Sequence, residues 1–441
     1  MRSAARRMLV VLGALIAMMV LPLAFGWYGV TRAVDVVYPP RVPSAPSPAP
    51  LQTLRIDPDL PTAVIVLGEE GANVADTLAP YVVLSESDFN VVTVAPTADQ
   101  VTLTGSLDLV PDLTFAELDA VLDAPPDVIV VPQIHGSSDS VQEWLLDQRR
   151  PGRTLVMSVC VGAEVLADAG LLDGRPATSH WLKLIGLRRS HPQVDWQDGK
   201  RFADDGDIIT AAGVLSGMDG GLRIVERFYG EEEAARIAEE LLWNGYSAGA
   251  TVDVPAERLG PGDVVALLSA GYRWDRPTTG VWLHDGVDEL SLAAAFRPTS
   301  ELSYLARTVA VTADGEPIRS KRGLTFLPRA SWAQAQNAVD RVVVPGATVP
   351  AGSLEPHHPG VPVVALHETD EFPFDGALRD VAATYDEATA RWVAKSLQYP
   401  APARLEGAAW PWRLTAVPVA LAALGLLLGV LLVRGLTRGR R

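Results

Sequence analysis

Residues 154–181 read TLVMSVCVGAEVLADAGLLDGRPATSHW, and this stretch decides the fold. TLVMSVC (154–160) is an apolar run of strand length, and residues 162–169 follow with helical character. Between them, at a sharp turn, stands Cys160, the only cysteine among 441 residues. A strand running straight into a helix is the repeating unit of α/β proteins, and such sheets bind ligands beyond the carboxyl ends of their strands. Cys160 sits at one such end. A lone sulfur closes no disulfide within its own chain. It is therefore either a nucleophile or a small apolar core residue.

The alternation extends upstream. AVIVLG (63–68), NVVTVAP (90–96) and PDVIVVP (126–132) read as buried strands. VADTLAPYVVLSES (74–87), FAELDAVL (115–122) and VQEWLLDQRR (141–150) read as helices, with a hairpin at VTLTGSLDLVPDL. The pattern predicts a flavodoxin-like parallel sheet with helices on both faces.

Residues 280–346 retrace residues 63–132. RTVAVT (307–312) matches NVVTVA, DRVVVPG (340–346) matches DVIVVPQ, and GALRDVAATYD (376–386) matches GGLRIVERFYG (220–230). The second copy lacks the cysteine turn and the residues that follow it in the first: VPVVAL (361–366) runs through HETDEFPFD almost directly to Gly376. This predicts a tandem duplication with a complete unit at 62–245, a connector at 246–275 and a truncated unit at 276–400. The truncated copy is expected to pack on the first as an internal pseudo-dimer partner or a lid.

Both ends of the chain are apolar. Residues 8–30 and 414–433 carry no charge, and each is long enough to cross a bilayer as a helix. The first also has the basic start of a signal peptide, but its apolar run is long and no clear cleavage site follows, which favours a retained anchor. Tails 1–7 and 434–441 are arginine-rich, which places both termini in the cytoplasm and the main domains outside the plasma membrane. Residues 31–61, with a run of prolines, and residues 401–413 read as linkers. The tails hold seven arginines and no acids, so a net charge of −16 leaves −23 for residues 8–433. Such a surface is a poor one for nucleic acid or anionic lipid. The partners expected are the lipid bilayer and a small-molecule ligand or substrate.

The turn itself has a chemical logic. A thiol facing the first amides of a helix has its pKa lowered toward the nucleophilic thiolate. The Val161 amide can donate to an oxyanion, and Gly162 lets the backbone come close.

The elbow SVCVGAEVLADAGLLDGRPATSHW (158–181), the segment DGDIITAAGVLSGMDGGLRIVE (205–226) and VADTLAP (74–80) together resemble the ThiJ/PfpI family, with its class I glutamine-amidotransferase-like fold. The resemblance runs over about 62–245. It is nearest to the N-terminal module of AraC-type regulators and to isonitrile hydratase-like proteins. It implies a catalytic set of Cys160, His180 and Asp76, with His180 handling protons and Asp76 polarising the thiol or a water. Where the family has Pro-Gly-Gly after its third parallel strand, this chain reads PQIHG (132–136), with Gln133 and Ile134 in place of glycines. Gly136 and His135 then become binding candidates, His135 either as a second imidazole or simply as a loop residue, and the oxyanion hole differs from the family's. Ser291 replaces Asp76 in the second copy. His180 and Asp76 also have structural readings, as a core histidine and a helix-face acid, and Asp219 reads as the start of a helix. The His357–His358 pair lacks further ligands at metal spacing, and neither metal nor cofactor is expected. Two functions follow: a cysteine-dependent hydrolase or hydratase of a small molecule, or a non-catalytic ligand-binding or thiol-redox sensing module.

Overall fold

The computed structural model describes residues 2–37, 56–149, 153–249, 251–348 and 360–438. Most of the proline-rich linker, His357, His358 and the extreme termini lie outside the described residues.

Helix α1 (Arg2–Val37) opens the chain. Next come β1 (Thr62–Val66), α2 (Val74–Ser85), β2 (Asn90–Ala95), β3 (Val101–Leu103), β4 (Leu107–Val110), β5 (Leu113–Thr114) and α3 (Phe115–Val121). They lead to β6 (Val128–Val131), α4 (Asp139–Gln148), β7 (Leu155–Val159), α5 (Gly162–Asp168), β8 (Pro176–Ala177), α6 (Leu184–Ser190) and β9 (Asp195–Trp196). The first lobe closes with β10 (Lys200–Asp204), β11 (Ile208–Ala211), α7 (Ser216–Tyr229), α8 (Glu231–Glu240) and β12 (Thr251–Asp253). Helix α9 (Val264–Tyr272) leads to β13 (Thr278–Trp282), α10 (Glu289–Phe296), β14 (Arg307–Thr312), β15 (Ile318–Arg319), β16 (Thr325–Leu327) and β17 (Ala330–Ser331). The second lobe ends with α11 (Trp332–Ala335), β18 (Arg341–Val344), β19 (Val363–Ala365), α12 (Pro373–Thr384) and α13 (Glu387–Ser396), before the final helix α14 (Trp412–Arg438).

The first sheet runs β12-β10-β11-β7-β6-β1-β2-β5. It is parallel from β5 to β11, but β10 and β12 pair antiparallel, so the sheet is mixed rather than wholly parallel. Because β12 forms its edge, the expected connector 246–275 begins as part of the first lobe. Strands β1, β6 and β7 are buried throughout, which is why they read as unbroken apolar runs. Alternate residues serve opposite faces. Ala63 and Ile65 pack with Leu78, Val82 and Val225, whereas Val64 and Val66 pack with Leu118, Val141 and Leu166.

The second sheet runs β17-β14-β13-β18-β19, all parallel, in the same order as β5-β2-β1-β6-β7. Like helices meet between the lobes, α2 lying against α10. The hairpin β3–β4 joins β15–β16 through an antiparallel β4–β16 pairing, giving a four-stranded sheet shared by both lobes. Arg322, almost fully buried, pairs with Glu86 across this boundary and with Asp288 and Glu289 of its own lobe. Arg329 reaches Asp108 at 2.9 Å.

Two helical segments, Val11–Val36 and Trp412–Leu432, are long and apolar enough to cross a membrane. They pack on each other through small residues. A Cβ added at Gly425 would lie 2.3 Å from the Ala17 carbonyl oxygen, and one at Gly429 would lie 2.7 Å from the Ala17 Cβ. Small residues four apart allow this close backbone approach.

Candidate functional site

Strand β7 delivers Cys160 to the turn before α5. Cys160 has φ 55°, a left-handed conformation that costs a non-glycine residue about 1–2 kcal/mol. Neighbouring groups hold it there. Its amide donates to the Ala211 carbonyl at 2.9 Å, and its carbonyl accepts from the Ser179 hydroxyl at 2.8 Å. Gly162 is required by packing, because a Cβ there would meet the Val131 carbonyl oxygen at 2.1 Å.

Asp76 is the third residue of α2 and has no solvent exposure. Asn73 caps that helix, its side chain accepting from the Ala75 and Asp76 amides. The Asp76 Oδ2 accepts from the Gln133 amide at 3.2 Å. Burial first, then the neighbouring Glu301 carboxylate, push the Asp76 carboxyl up to about 8. Arg297, the Gln133 amide and the Cys160 thiol act in the opposite direction. The cluster thus favours a protonated Asp76 beside the sulfur at neutral pH.

Gln133 stands at the centre. Its Oε1 accepts from the Cys160 thiol at 3.8 Å, its Nε2 donates to Glu301 Oε1 at 2.9 Å, and its carbonyl accepts from the Asn73 amide. The position that departs from the family's glycine therefore links the thiol to a carboxylate of the second lobe. Its amide is bonded to Asp76 and is not free to serve an oxyanion. Ile134 packs so closely on Gly68 that a Cβ there would lie 2.3 Å from its Cγ2.

Glu301 was not legible as a site residue. It follows α10, and its Oε2 also accepts from the Asn73 Nδ2 at 2.7 Å. Arg297, buried beside it, donates to the Glu301 carbonyl at 2.6 Å and lies 3.8 Å from its carboxylate. The second lobe thus places a carboxylate and a guanidinium at the cysteine of the first.

His180 is buried, but it is bonded away from the thiol. Its Nε2 lies 2.9 Å from the Ser396 carbonyl at the end of α13, and its Nδ1 accepts from the Leu182 amide at 3.4 Å. This partnering makes it the neutral tautomer with the proton on Nε2. Burial lowers its pKa to about 4. His135 is half-buried next to Gly71, whose added Cβ would lie 3.0 Å from the ring Nδ1, and burial lowers its pKa as well. Gly136, at φ 74°, approaches the Glu70 carboxylate. Asp219 belongs to the framework. It accepts from Trp243 Nε1 at 3.1 Å and pairs with Arg201 at 3.3 Å.

The expected lowering of the thiol pKa is corrected by this geometry. Cys160 is 2% exposed, and burial, with Asp76 and Glu301 next, raises its pKa well above the ordinary value. The Arg297 guanidinium and the Val161 amide favour the thiolate, but they do not offset the loss of water and the neighbouring acids. Among the described residues no group of acids, histidines and cysteine is arranged to hold a metal. In the second lobe Ser291 is the third residue of α10, as Asp76 is of α2. Its hydroxyl meets Asp288 and the His367 Nε2, each at 3.1 Å.

The chain matches the DJ-1/PfpI family over residues 62–227. It is 30% identical to the isonitrile hydratase of Pseudomonas putida over 174 residues, 38% of this chain and 72% of that protein. The chain belongs to the DJ-1/PfpI family. It is 36% identical over 100 residues to the HTH-type transcriptional regulator CdhR of Pseudomonas aeruginosa, covering 23% of this chain and only 29% of the regulator. It is 31% identical over 144 residues to protein DJ-1alpha of Drosophila melanogaster, 31% of this chain and 64% of that protein. The family match lies wholly within the first lobe, so it speaks to the residues around Cys160 and not to Glu301 or Arg297.

Proposed function

We propose that this DJ-1/PfpI chain is a membrane-anchored sensor whose two lobes lie outside the plasma membrane. The second lobe holds the Cys160 site closed until a small ligand displaces it. The observation that carries this reading is the placement of Glu301, bonded to both Asn73 and Gln133 beside the thiol. A resting thiol that is buried, protonated and covered is a poor constitutive nucleophile. A small polar ligand offering acceptors to Asn73 and Gln133 would take the place of Glu301 and free the lobe contact. Opening would then expose Cys160, either for ligand contact or for oxidation by hydrogen peroxide to the sulfenic acid with release of water.

The shared strand order, and the self-matching contacts of α2 on α10 and β4 on β16, support a tandem duplication folded back as an internal pseudo-dimer. The two apolar helices support anchoring. The outer part of α1 packs on the globular part: Tyr272 donates to the Pro22 carbonyl at 2.9 Å, and a Cβ on Gly29 would collide with the Gly271 carbonyl. Such fitting suits a retained anchor better than a removed signal peptide. The arginine-rich tails orient both termini to the cytoplasm.

Alkylation of the full-length protein with iodoacetamide from neutral to alkaline pH tests the closed site. Slow modification that speeds up only at alkaline pH is expected. A wild-type thiol that reacts at neutral pH as fast as free cysteine would sink it. A second reading, a cysteine-dependent hydratase or hydrolase, draws on the left-handed elbow at Cys160 and the likeness to isonitrile hydratase. Turnover of isonitriles or small amides by the wild type, lost in Cys160→Ser, would establish that reading instead.

A further inference from the structure

Helix α9 lies between the globular lobes and the two apolar helices, and touches both α1 and α14. Its inner face fits α1 through Gly271 and Tyr272. The same stripe of the helix, one and two turns before Gly271, is apolar and open. Val264 and Leu267, one turn apart, are 42% and 69% exposed, and Leu259 just before the helix is 69% exposed. Trp274, just after it, is 44% exposed and packs on Phe25 of α1 with ring centroids 5.7 Å apart. Exposed leucines this close together are unusual on a water-facing surface.

The backbone of α9 is prepared for the same environment. The last carbonyls of a helix ordinarily bond water. Here Arg276 donates to Ser269 and Ala270, at 2.8 and 2.9 Å, and the Trp274 indole donates to Gly271 at 2.9 Å. Satisfying these carbonyls internally is what a lipid-facing segment needs. The apolar helices carry exposed aromatic residues too: Trp27 and Tyr28 on α1, and Trp412 at the start of α14. Tryptophan and tyrosine in this arrangement mark a membrane–water interface.

We propose that the Leu259–Val264–Leu267–Trp274 face is seated in the interfacial layer of the outer leaflet, so that the protein lies on the bilayer as well as spanning it. The proposal rests on the anchoring reading above and adds a lipid contact made by the globular part. The seat also adjoins the closed site. Leu259, Val264 and Leu267 also form one wall of an apolar groove of about 430 Å³, whose other wall is Leu302, Tyr304 and Trp392 of the second lobe. Leu302 follows Glu301 directly, and Trp392 is on α13, whose end bonds His180.

Spin labels on single cysteines, in a full-length Cys160→Ala background in phospholipid nanodiscs, test the proposal. Labels at Leu267 and Leu259 are compared with one at Val419 in α14 and one at Leu146, exposed on α4. The expected result is that molecular oxygen relaxes Leu267 and Leu259 severalfold more than a water-soluble nickel chelate does, with Val419 deeper and Leu146 showing the reverse. Nickel-accessible Leu267 beside an oxygen-accessible Val419 would overturn the seat while leaving the anchor standing. Nickel access at Val419 too would remove the anchor and the seat together. A Leu267 label shielded from both reagents would mean that protein covers this face, which also overturns the lipid assignment.

Discussion

Glu301→Ala tests the closed-site reading most directly. The Glu301 carboxylate accepts from Asn73 at 2.7 Å and from Gln133 at 2.9 Å, both across the lobe boundary, the first buried and the second partly buried. Hydrogen bonds to a charged group contribute about 1.5–3 kcal/mol each. Relief from burying the carboxylate beside Asp76 works against that sum, so the low end applies, about 3 kcal/mol for the pair. If the lobes open and reclose faster than the thiol reacts, alkylation follows the population of the open form. Lowering the cost of opening by that amount raises the Cys160 alkylation rate at constant pH about a hundredfold. The assay is the rate of thiol modification in detergent-solubilised full-length protein, with urea unfolding followed in parallel. That control separates lobe opening from global loss of structure. Alkylation within threefold of wild type, with the fold intact, would falsify the claim that Glu301 latches the site.

Asp76→Asn should alter the pH dependence of stability. The folded carboxyl titrates at about 8, above the ~3.9 of an unfolded chain, so between those values the folded state retains a proton that the unfolded state has lost. Wild-type Asp76 therefore lowers stability as pH rises through that window. The Asn variant should gain on wild type between pH 5 and pH 8 in urea titrations, and a constant difference would refute the assignment. His180→Gln removes a group with the opposite sign: its folded pKa of about 4 lies below the unfolded ~6.5, so wild-type stability from this source rises over that interval. The variant's stability should rise less between pH 4 and 6.5, and an unchanged pH profile would count against a buried neutral imidazole. Gly162→Ala places a methyl 2.1 Å from the Val131 carbonyl oxygen and should cost roughly 3 kcal/mol or more, read by thermal unfolding. A variant of wild-type stability would mean that the elbow is looser than drawn. Gly425→Ile should separate α14 from α1, because its Cβ would meet the Ala17 carbonyl at 2.3 Å. Accelerated proteolysis of the detergent-solubilised protein is the expected sign, and unaltered cleavage would argue against the paired helices.

The sequence by itself determined the local elements and the place of the elbow, for a physical reason. Doubly covered strands such as VIVV and LVMSV must be apolar throughout, and helix starts need caps, so both leave local marks. The strands RTVAVT and RVVV of the second lobe leave the same local apolar marks. Cys160, Asp76 and Gln133 could be singled out because they stand in strand-end and helix-start positions with a recognisable frame. The electrostatics of the site could not. Glu301 lies 228 residues from Asn73 and has no local signature; only the docking of one lobe on the other brings its carboxylate to the thiol. His180 likewise reads as a proton carrier in sequence but is bonded to a carbonyl 216 residues away. A pKa is set by burial and by charges a few ångströms distant through space. Tertiary packing alone therefore decided that the thiol expected to be activated is buried and protonated.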